Sequence, residues 1–225
     1  MSERIVNTAL SIAGSDSGGG AGIQADLKTF SAFGVFGKTV ITSITSQNTF
    51  GVQSTDDLPV EVVERQLQAI SEDKKCKAMK TGMLGNEKIV RLVSKVIKSK
   101  RLGKVVVDPV IFSSSGKRLL TKGGVEVMKE LLLPLATLVT PNIKEAELLS
   151  GVKIKMPSDR KKAVRAILKM GVQAVVITGG HLKGNPDDFF LDNNGEEIFL
   201  SERLTKSDLH GTGCVFSAAI TACLA

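Results

Sequence analysis

The 225-residue chain predicts an α/β fold built on a mostly parallel sheet, and three observations carry that reading. Short β-branched runs recur along it. Stretches with apolar residues at helical spacing separate those runs. The turns that follow the runs are rich in Gly, Pro and small polar residues. Strands that alternate with helices form βαβ units, whose helices cover both faces of the sheet.

Strands are expected at residues 8–13, 39–44, 78–81, 104–107, 137–140 and 174–178. Helices are expected at 25–33, 60–70, 87–100, 125–132, 144–149 and 159–170, the last opening on a Ser158 cap and closing at Gly171. Within 87–100, Lys88, Arg91, Lys95 and Lys98 interleave with Ile89, Leu92, Val93 and Val96 as the wet and dry sides of one helix. A final helix follows over 215–224. Around Asn194-Gly195, residues 189–192 and 196–200 predict one antiparallel hairpin at a sheet edge. No linker, repeat or low-complexity run breaks the pattern, so residues 1–225 are expected to form a single domain.

Composition excludes several classes. Hydrophobic residues at 42% and a mean hydropathy of +0.12 exclude a disordered chain. The longest apolar runs, such as 105–107 and 131–133, are too short to span a bilayer, and the N-terminal stretch containing Glu3 and Asp16 does not read as a secretory signal. A cytoplasmic setting without membrane contact is expected. The net charge of +7 invites nucleic acid, but the cations lie on helix faces, and a chain with no Trp and no Tyr has little with which to stack bases. Solvated helices and an anionic small ligand account for the charge instead. Cys76, Cys214 and Cys223 form no CxxC pair, and the lone His210-x3-Cys214 spacing does not make a zinc site.

The loops after the expected strands carry the chemistry: Gly14 to Gly20, Thr81-Gly82-Met83, Asp108-Pro109-Val110, Thr140-Pro141-Asn142 and Thr178-Gly179-Gly180-His181. Ligands of open parallel sheets bind outside the carboxyl ends of the strands, so these loops are expected to converge on one crevice. Gly20 to Ala25 formally matches G-x-G-x-x-A, yet no acid stands at 40–48 where a dinucleotide ribose needs one. Gly37-Lys38-Thr39 resembles the end of a phosphate-binding loop, but Ala32 replaces its first glycine and a strand follows. Gly211, Thr212 and Gly213 precede a smooth helical run, where free backbone N–H groups and the helix dipole favour an anion; a Gly-rich helix entry without a ligand reads the same way. Cys214 then falls on the first turn, where the terminus should lower its thiol pKa below about 8.5 and suit it to take a proton from an alcohol. A small buried hydrophobe is the bland reading of that cysteine.

Taken in order, Gly14-Ser15-Asp16, Gly18 to Thr29, Ser46-Gln47-Asn48-Thr49, Lys80 to Leu84, Val107 to Val110, Thr140-Pro141-Asn142 with Glu145-Ala146-Glu147, and Gly211-Thr212-Gly213-Cys214 resemble the hydroxymethylpyrimidine/phosphomethylpyrimidine kinases of thiamine biosynthesis, a ribokinase-like group. The resemblance runs over nearly the whole chain. It implies a ribokinase-like sheet flanked by helices, ATP and Mg²⁺ as cosubstrates, and successive phosphorylation of 4-amino-5-hydroxymethyl-2-methylpyrimidine and its monophosphate. It implies Cys214 as catalytic base beside the Gly211, Thr212 and Gly213 amides. Gln47 would bind the amino and ring-nitrogen edge, Asp26 and the Gly14 backbone would hold the substrate, and Met83 and Val110 would contact the ring. Asp108, Asn142, Glu145 and Thr178 would lie by ATP, with Glu145 meeting Mg²⁺ through water. On the residues alone, Asn142 reads equally as a helix cap and Asp108 as the shaper of a turn. A homodimer is expected on the same ground.

Two departures from the family pattern stand out. Thr178 replaces a lysine that many members carry, for which Lys80 or Lys206 would have to compensate. The chain also stops at Ala225, inside the helix that carries Cys214, so a C-terminal truncation affecting the adenine pocket is expected. Three other readings stay open: a pyridoxal kinase, whose substrate also carries a hydroxymethyl group on an aza-ring; a sensor that binds the pyrimidine without turnover; and a basic nucleic-acid binder.

Overall fold

The computed structural model describes residues 6–73, 75–100, 102–180, 185–203 and 210–225. Among them nine strands form one sheet: β1 (Thr8–Asp16), β2 (Phe36–Asn48), β3 (Gly51–Asp57), β4 (Ala78–Thr81), β5 (Lys104–Val107), β6 (Leu138–Val139), β7 (Ala174–Ile177), β8 (Asp188–Asp192) and β9 (Glu196–Phe199). Their order is β3-β2-β1-β4-β5-β6-β7-β8-β9, parallel from β2 to β7 and antiparallel at both ends. The helices are α1 (Gly22–Ala32), α2 (Val60–Glu72), α3 (Glu87–Lys100), α4 (Lys122–Val127), α5 (Ile143–Ser150), α6 (Pro157–Leu168) and α7 (Thr212–Leu224).

Strand pleat assigns the two faces. Leu10 and Ile12 of β1 point into a large core with Met79, Val105, Val107 and the apolar stripes of α2, α3 and α6. Ala9 points the other way, into a small cluster with Phe30 of α1 and Ala218 and Ala222 of α7. The small residues let α7 lie close against α1, β4 and β5. That packing fixes where the first turn of α7 can sit.

The structure departs from the sequence-based expectations in four places. β3 was not expected, because GVQSTDD lacks an alternating apolar face and is largely exposed; backbone pairing with β2 holds it. The helix expected at 125–132 starts earlier, at Lys122, with the Thr121 hydroxyl accepting from Gly124 N–H at 3.0 Å. It then widens to a π turn over Met128–Leu132 and tightens to a 3₁₀ turn over Leu133–Leu135, where Pro134 has no N–H to continue the ladder. α6 is not capped by Ser158: Met156 is the N-cap, Pro157 takes the first helical position, and Asp159 accepts from the Lys155 and Met156 amides. α7 begins at Thr212, three residues before the expected start.

Candidate active site

The chain leaves β1 toward β2 on one side and later returns to β4 on the other. The sheet order therefore reverses between β1 and β4, where ligands of such sheets bind. A cleft of about 410 Å³, counting its open mouth, lies there, lined by Gly14, Asp16, Gly22, Gln47, Lys80, Met83, Val110 and Cys214 among others. The structure thus brings Gly14, Gln47, Met83, Val110 and Cys214 together, as the sequence suggested.

Glycines allow that convergence at two points. Gly211 is left-handed at φ 82°, and a side chain on it would overlap the Gly20 carbonyl oxygen; Gly22, at φ 56°, would collide with the Gly14 carbonyl. The glycine loops after β1 and before α7 can only interlock without side chains. Gly211 caps α7 and brings no side chain, so among the described residues no side chain takes the amides of its first turn, and a Cβ on Gly213 would meet open space. These free donors at the end of a 13-residue helix are a place for an anion.

Beneath the cleft runs a buried ionic cluster. Lys80, fully buried, places Nζ 2.6 Å from Asp26 Oδ1, 3.3 Å from the Cys214 carbonyl and 3.9 Å from Asp108 Oδ2. Ser11 donates to Asp26 Oδ2 at 2.5 Å, and Ser217 of α7 bonds Asp108 Oδ2 at 2.9 Å. Burial works against the Lys80 charge, but Asp26, Cys214 and Asp108 outweigh it and hold its pKa above the ordinary value. Burial pushes Asp108 up, with Lys80 and Ser217 offsetting part of the shift.

Cys214 behaves opposite to its sequence-based expectation. Burial pushes its thiol up to about 11, with Asp108 and Asp26 adding to the rise and Lys80 and a bond from the Gly22 amide opposing it. The helix terminus does not overcome this surrounding, so the thiol is protonated at neutral pH.

Asp26 belongs to this buried cluster. Both its oxygens are held by Ser11 and Lys80, it is fully buried, and it does not line the cleft. Lys80 is equally committed, so it does not replace a missing lysine at Thr178; Lys206 lies outside the described residues, as does His181. Thr178, just past the end of β7, bridges to Asn142 and donates its amide to the Pro141 carbonyl.

Asn142 and Glu145 form a capping box on α5. Asn142 Oδ1 accepts from Glu145 N–H at 3.0 Å, and Glu145 Oε2 accepts from Asn142 N–H at 3.1 Å. Glu145 Oε1 also takes the Ile111 amide at 3.0 Å. Burial, then the nearby Asp108, push Glu145 up to about 7. Its bond to Ile111 braces Val110, a β-branched residue at φ 34° that lines the cleft. Such a conformation is strained, and strain of this kind gathers at ligand sites.

The sequence reading passed over Asp16 and His210 as site residues. Asp16 Oδ1 takes the Gly18 amide, and Oδ2 the Gly20 and Ala21 amides, which shapes the glycine loop. An Asp two residues before a glycine run is a signal for such a turn. A second hollow, beside β3, is lined by Thr55, Asp57, Gly85 and Arg118; Asp57 there is already bonded to Ser43 and Asn86.

In fold, and in the anion-ready helix set at its sheet reversal, the chain is a small-molecule kinase of the ribokinase-like class. Comparison narrows this: a sequence model of the phosphomethylpyrimidine kinase family matches residues 16–225, and the chain belongs to that family. It is 44% identical over 216 residues to the hydroxymethylpyrimidine/phosphomethylpyrimidine kinase of Bacillus subtilis (strain 168), covering 95% of this chain and 80% of that one. The crystal structure of phosphomethylpyrimidine kinase from Clostridium difficile 630 superposes with a TM-score of 0.87 at 42% identity, over 97% of this chain and 90% of that one. Pyridoxal kinase from Staphylococcus aureus, in complex with AMP-PCP and pyridoxal, superposes with a TM-score of 0.88 at 38% identity, over 98% and 80%.

Proposed function

We propose that this chain transfers the γ-phosphoryl group of ATP to the hydroxymethyl oxygen of 4-amino-5-hydroxymethyl-2-methylpyrimidine, and then phosphorylates the monophosphate, in thiamine biosynthesis. The observation that carries the reading is the opening of the free end of α7 beside the cleft that holds Gln47, Met83 and Val110. The ring lies against Met83 and Val110, and the Gln47 amide, a donor and an acceptor together, pairs with the amino and ring-nitrogen edge. The Gly14 backbone holds the ring from below. The first-turn amides of α7 receive the phosphoryl oxygens as charge moves across to the leaving ADP.

Cys214 lies where the hydroxymethyl group enters. As a neutral thiol it fixes that oxygen and keeps water out, and in a loose transition state the alcohol proton leaves late, to a phosphoryl oxygen. Asp108, Asn142, Glu145 and Thr178 lie on the ATP side. The donor set fits Mg²⁺: burial raises both acids, with Asp26 adding to the rise of Asp108 and Asp108 to that of Glu145, and the buried Thr140 hydroxyl has no partner among the described residues. Bound there, Mg²⁺ would neutralise triphosphate charge, held through water by Asp108, Asn142 and Glu145.

The pyridoxal kinase similarity supports a second substrate, since pyridoxal also offers a hydroxymethyl group on an aza-ring. ADP formation measured with hydroxymethylpyrimidine, its phosphate and pyridoxal tests both readings. The expected order of kcat/KM places the pyrimidine first. No ADP despite measurable pyrimidine binding would make the chain a sensor.

A further inference from the structure

Four side chains from separate segments meet at the mouth of the cleft. His210 Nε2 lies 2.5 Å from Gln47 Nε2 and 3.4 Å from Asp16 Oδ2, and its Nδ1 lies 3.3 Å from Ser114 Oγ. At the other end of the Gln47 amide, Oε1 lies 3.2 Å from Thr45 Oγ1, whose hydroxyl also reaches the Ser15 carbonyl at 3.1 Å. Gly20 leaves room for the ring, since a Cβ there would come 3.0 Å from His210 Cδ2.

Donor and acceptor counting gives this group two closed states. An amide nitrogen only donates, so with Gln47 Nε2 toward the ring, His210 Nε2 is an unprotonated acceptor and the ring proton sits on Nδ1, toward Ser114. Thr45 then gives its single proton to Gln47 Oε1. In the other state a proton on His210 Nε2 is shared by Asp16 Oδ2 and the Gln47 oxygen. The amide is reversed, its nitrogen donates to Thr45 Oγ1, and Thr45 donates to the Ser15 carbonyl. Every group is satisfied in both, and the ring proton chooses.

We propose that His210 is a positioning residue for substrate recognition: it sets which way round the Gln47 amide is presented, and protonating the ring reverses that amide and weakens pyrimidine binding. The proposal rests on the reading of Gln47 as the partner of the amino and ring-nitrogen edge. With the hydroxymethyl group directed at Cys214, that edge shows its donor and its acceptor in a fixed order. One amide orientation pairs with both. The reversed one sets donor against donor and acceptor against acceptor. Among the described residues Asp16, at the end of β1, is the titratable group that faces the ring, 3.4 Å from Nε2. Lys28 of α1 is bonded to the Gly19 carbonyl at 2.7 Å, and Lys117, from the turn carrying Ser114, to the Gln53 carbonyl at 2.9 Å, so both are turned elsewhere.

The test is equilibrium binding of hydroxymethylpyrimidine, without nucleotide, between about pH 5.5 and 8, where histidine titrates. Two exchanged hydrogen bonds predict that the wild-type protein loses about tenfold more affinity toward low pH than His210→Ala does. Protonation of the pyrimidine itself is common to both proteins and cancels in that difference. Superimposable pH curves for the two proteins would overturn the proposal. The chain holds two histidines, so ring nitrogen-15 spectra of a His181→Gln variant report His210 alone. A proton on Nδ1 at pH 8 is expected; a proton on Nε2 there would overturn the proposal without reference to any His210 variant. Gln47→Ala separates the two readings. If it leaves pyrimidine affinity intact, the role of Gln47 falls, whatever His210 does.

Discussion

Replacing Lys80 with Met keeps the length of the side chain and removes its charge. In the wild-type protein Lys80 and Asp26 are both fully buried, 2.6 Å apart, and Asp108 lies 3.9 Å from the same ammonium. After the substitution Asp26 keeps only the Ser11 hydroxyl, and Asp108 only Ser217 and a backbone amide. Breaking a buried pair by removing one partner costs about 3–5 kcal/mol, because the remaining charge is left uncompensated. For a chain of this size about 2 °C is lost per kcal/mol, so Tm should fall by roughly 6–10 °C. The assay is thermal unfolding followed by far-UV circular dichroism. The double variant Lys80→Met/Asp26→Leu removes both charges and should recover much of the loss, since an apolar pair of similar volume is often neutral. A Lys80→Met protein melting within about 2 °C of wild type would refute the account of this cluster as a tightly coupled ionic unit.

Four further outcomes follow from the same geometry. Because the Cys214 thiol is pushed up to about 11, a thiolate base would make kcat rise about tenfold per pH unit from 7 to 9, whereas a neutral positioning thiol leaves kcat flat and lets Cys214→Ser keep more activity than Cys214→Ala; a log-linear rise would restore the base role. Glu145, raised from 4.5 to about 7, binds its proton more tightly folded than unfolded, so it contributes stability below about pH 4.5 that is lost as pH rises through about 7. The full loss is about 3 kcal/mol, and Glu145→Gln should flatten the dependence of urea midpoints on pH across that window. Val110→Gly should relieve a strain of about 1–2 kcal/mol, leaving Tm unchanged or higher while KM for the pyrimidine rises several-fold. Gly211→Ala should cost more than about 2 kcal/mol, since a Cβ there meets the Gly20 carbonyl, and should abolish activity; a soluble, active variant in a kinase assay would contradict the interlocked loops.

The central parallel strands β4, β5 and β7 were legible because each is a short, largely apolar run buried on both faces, and burial of that kind leaves its mark residue by residue. β3 was not, because its stability comes from backbone pairing with β2 and its side chains carry no pattern. Among site residues, Gln47, Met83 and Val110 could be placed from motifs that each follow or end a strand. The Cys214 thiol could not. Its helix terminus is local and visible in the sequence, but the burial that outweighs it, and the Asp108 and Asp26 charges that add to it, come from residues more than a hundred positions away and joined only by folding. The partners of Asp26 were hidden for the same reason: nothing nearby in sequence shows that Lys80 and Ser11 take up its carboxylate. Asn142 shows the reverse case. The helix cap that Asn142 offered as its plainer reading is there, and it serves structure whatever else those residues hold.

Burial, with the two carboxylates of the cluster adding to it, explains why the thiol is quiet in the free protein. Lys80 brings one positive charge against the carboxylates of Asp26 and Asp108, so the ground beneath Cys214 is net negative and deprotonating the sulfur there adds a further like charge. A migrating phosphoryl group would meet the same field, were it not for the free amides of α7 on its other side. The site is therefore electrostatically incomplete until positive charge arrives beside Asp108 and Glu145, the two acids whose raised pKa values mark that lack. Asp108 and Glu145 would hold a hydrated divalent cation that came with ATP, and its charge would favour the ionised form of both carboxylates. Added Mg²⁺ with a non-hydrolysable ATP analogue should then raise Tm more at pH 8 than at pH 5.5, because only the ionised Glu145 gains from the cation. Equal shifts at the two pH values would show that Glu145 takes no part in holding it.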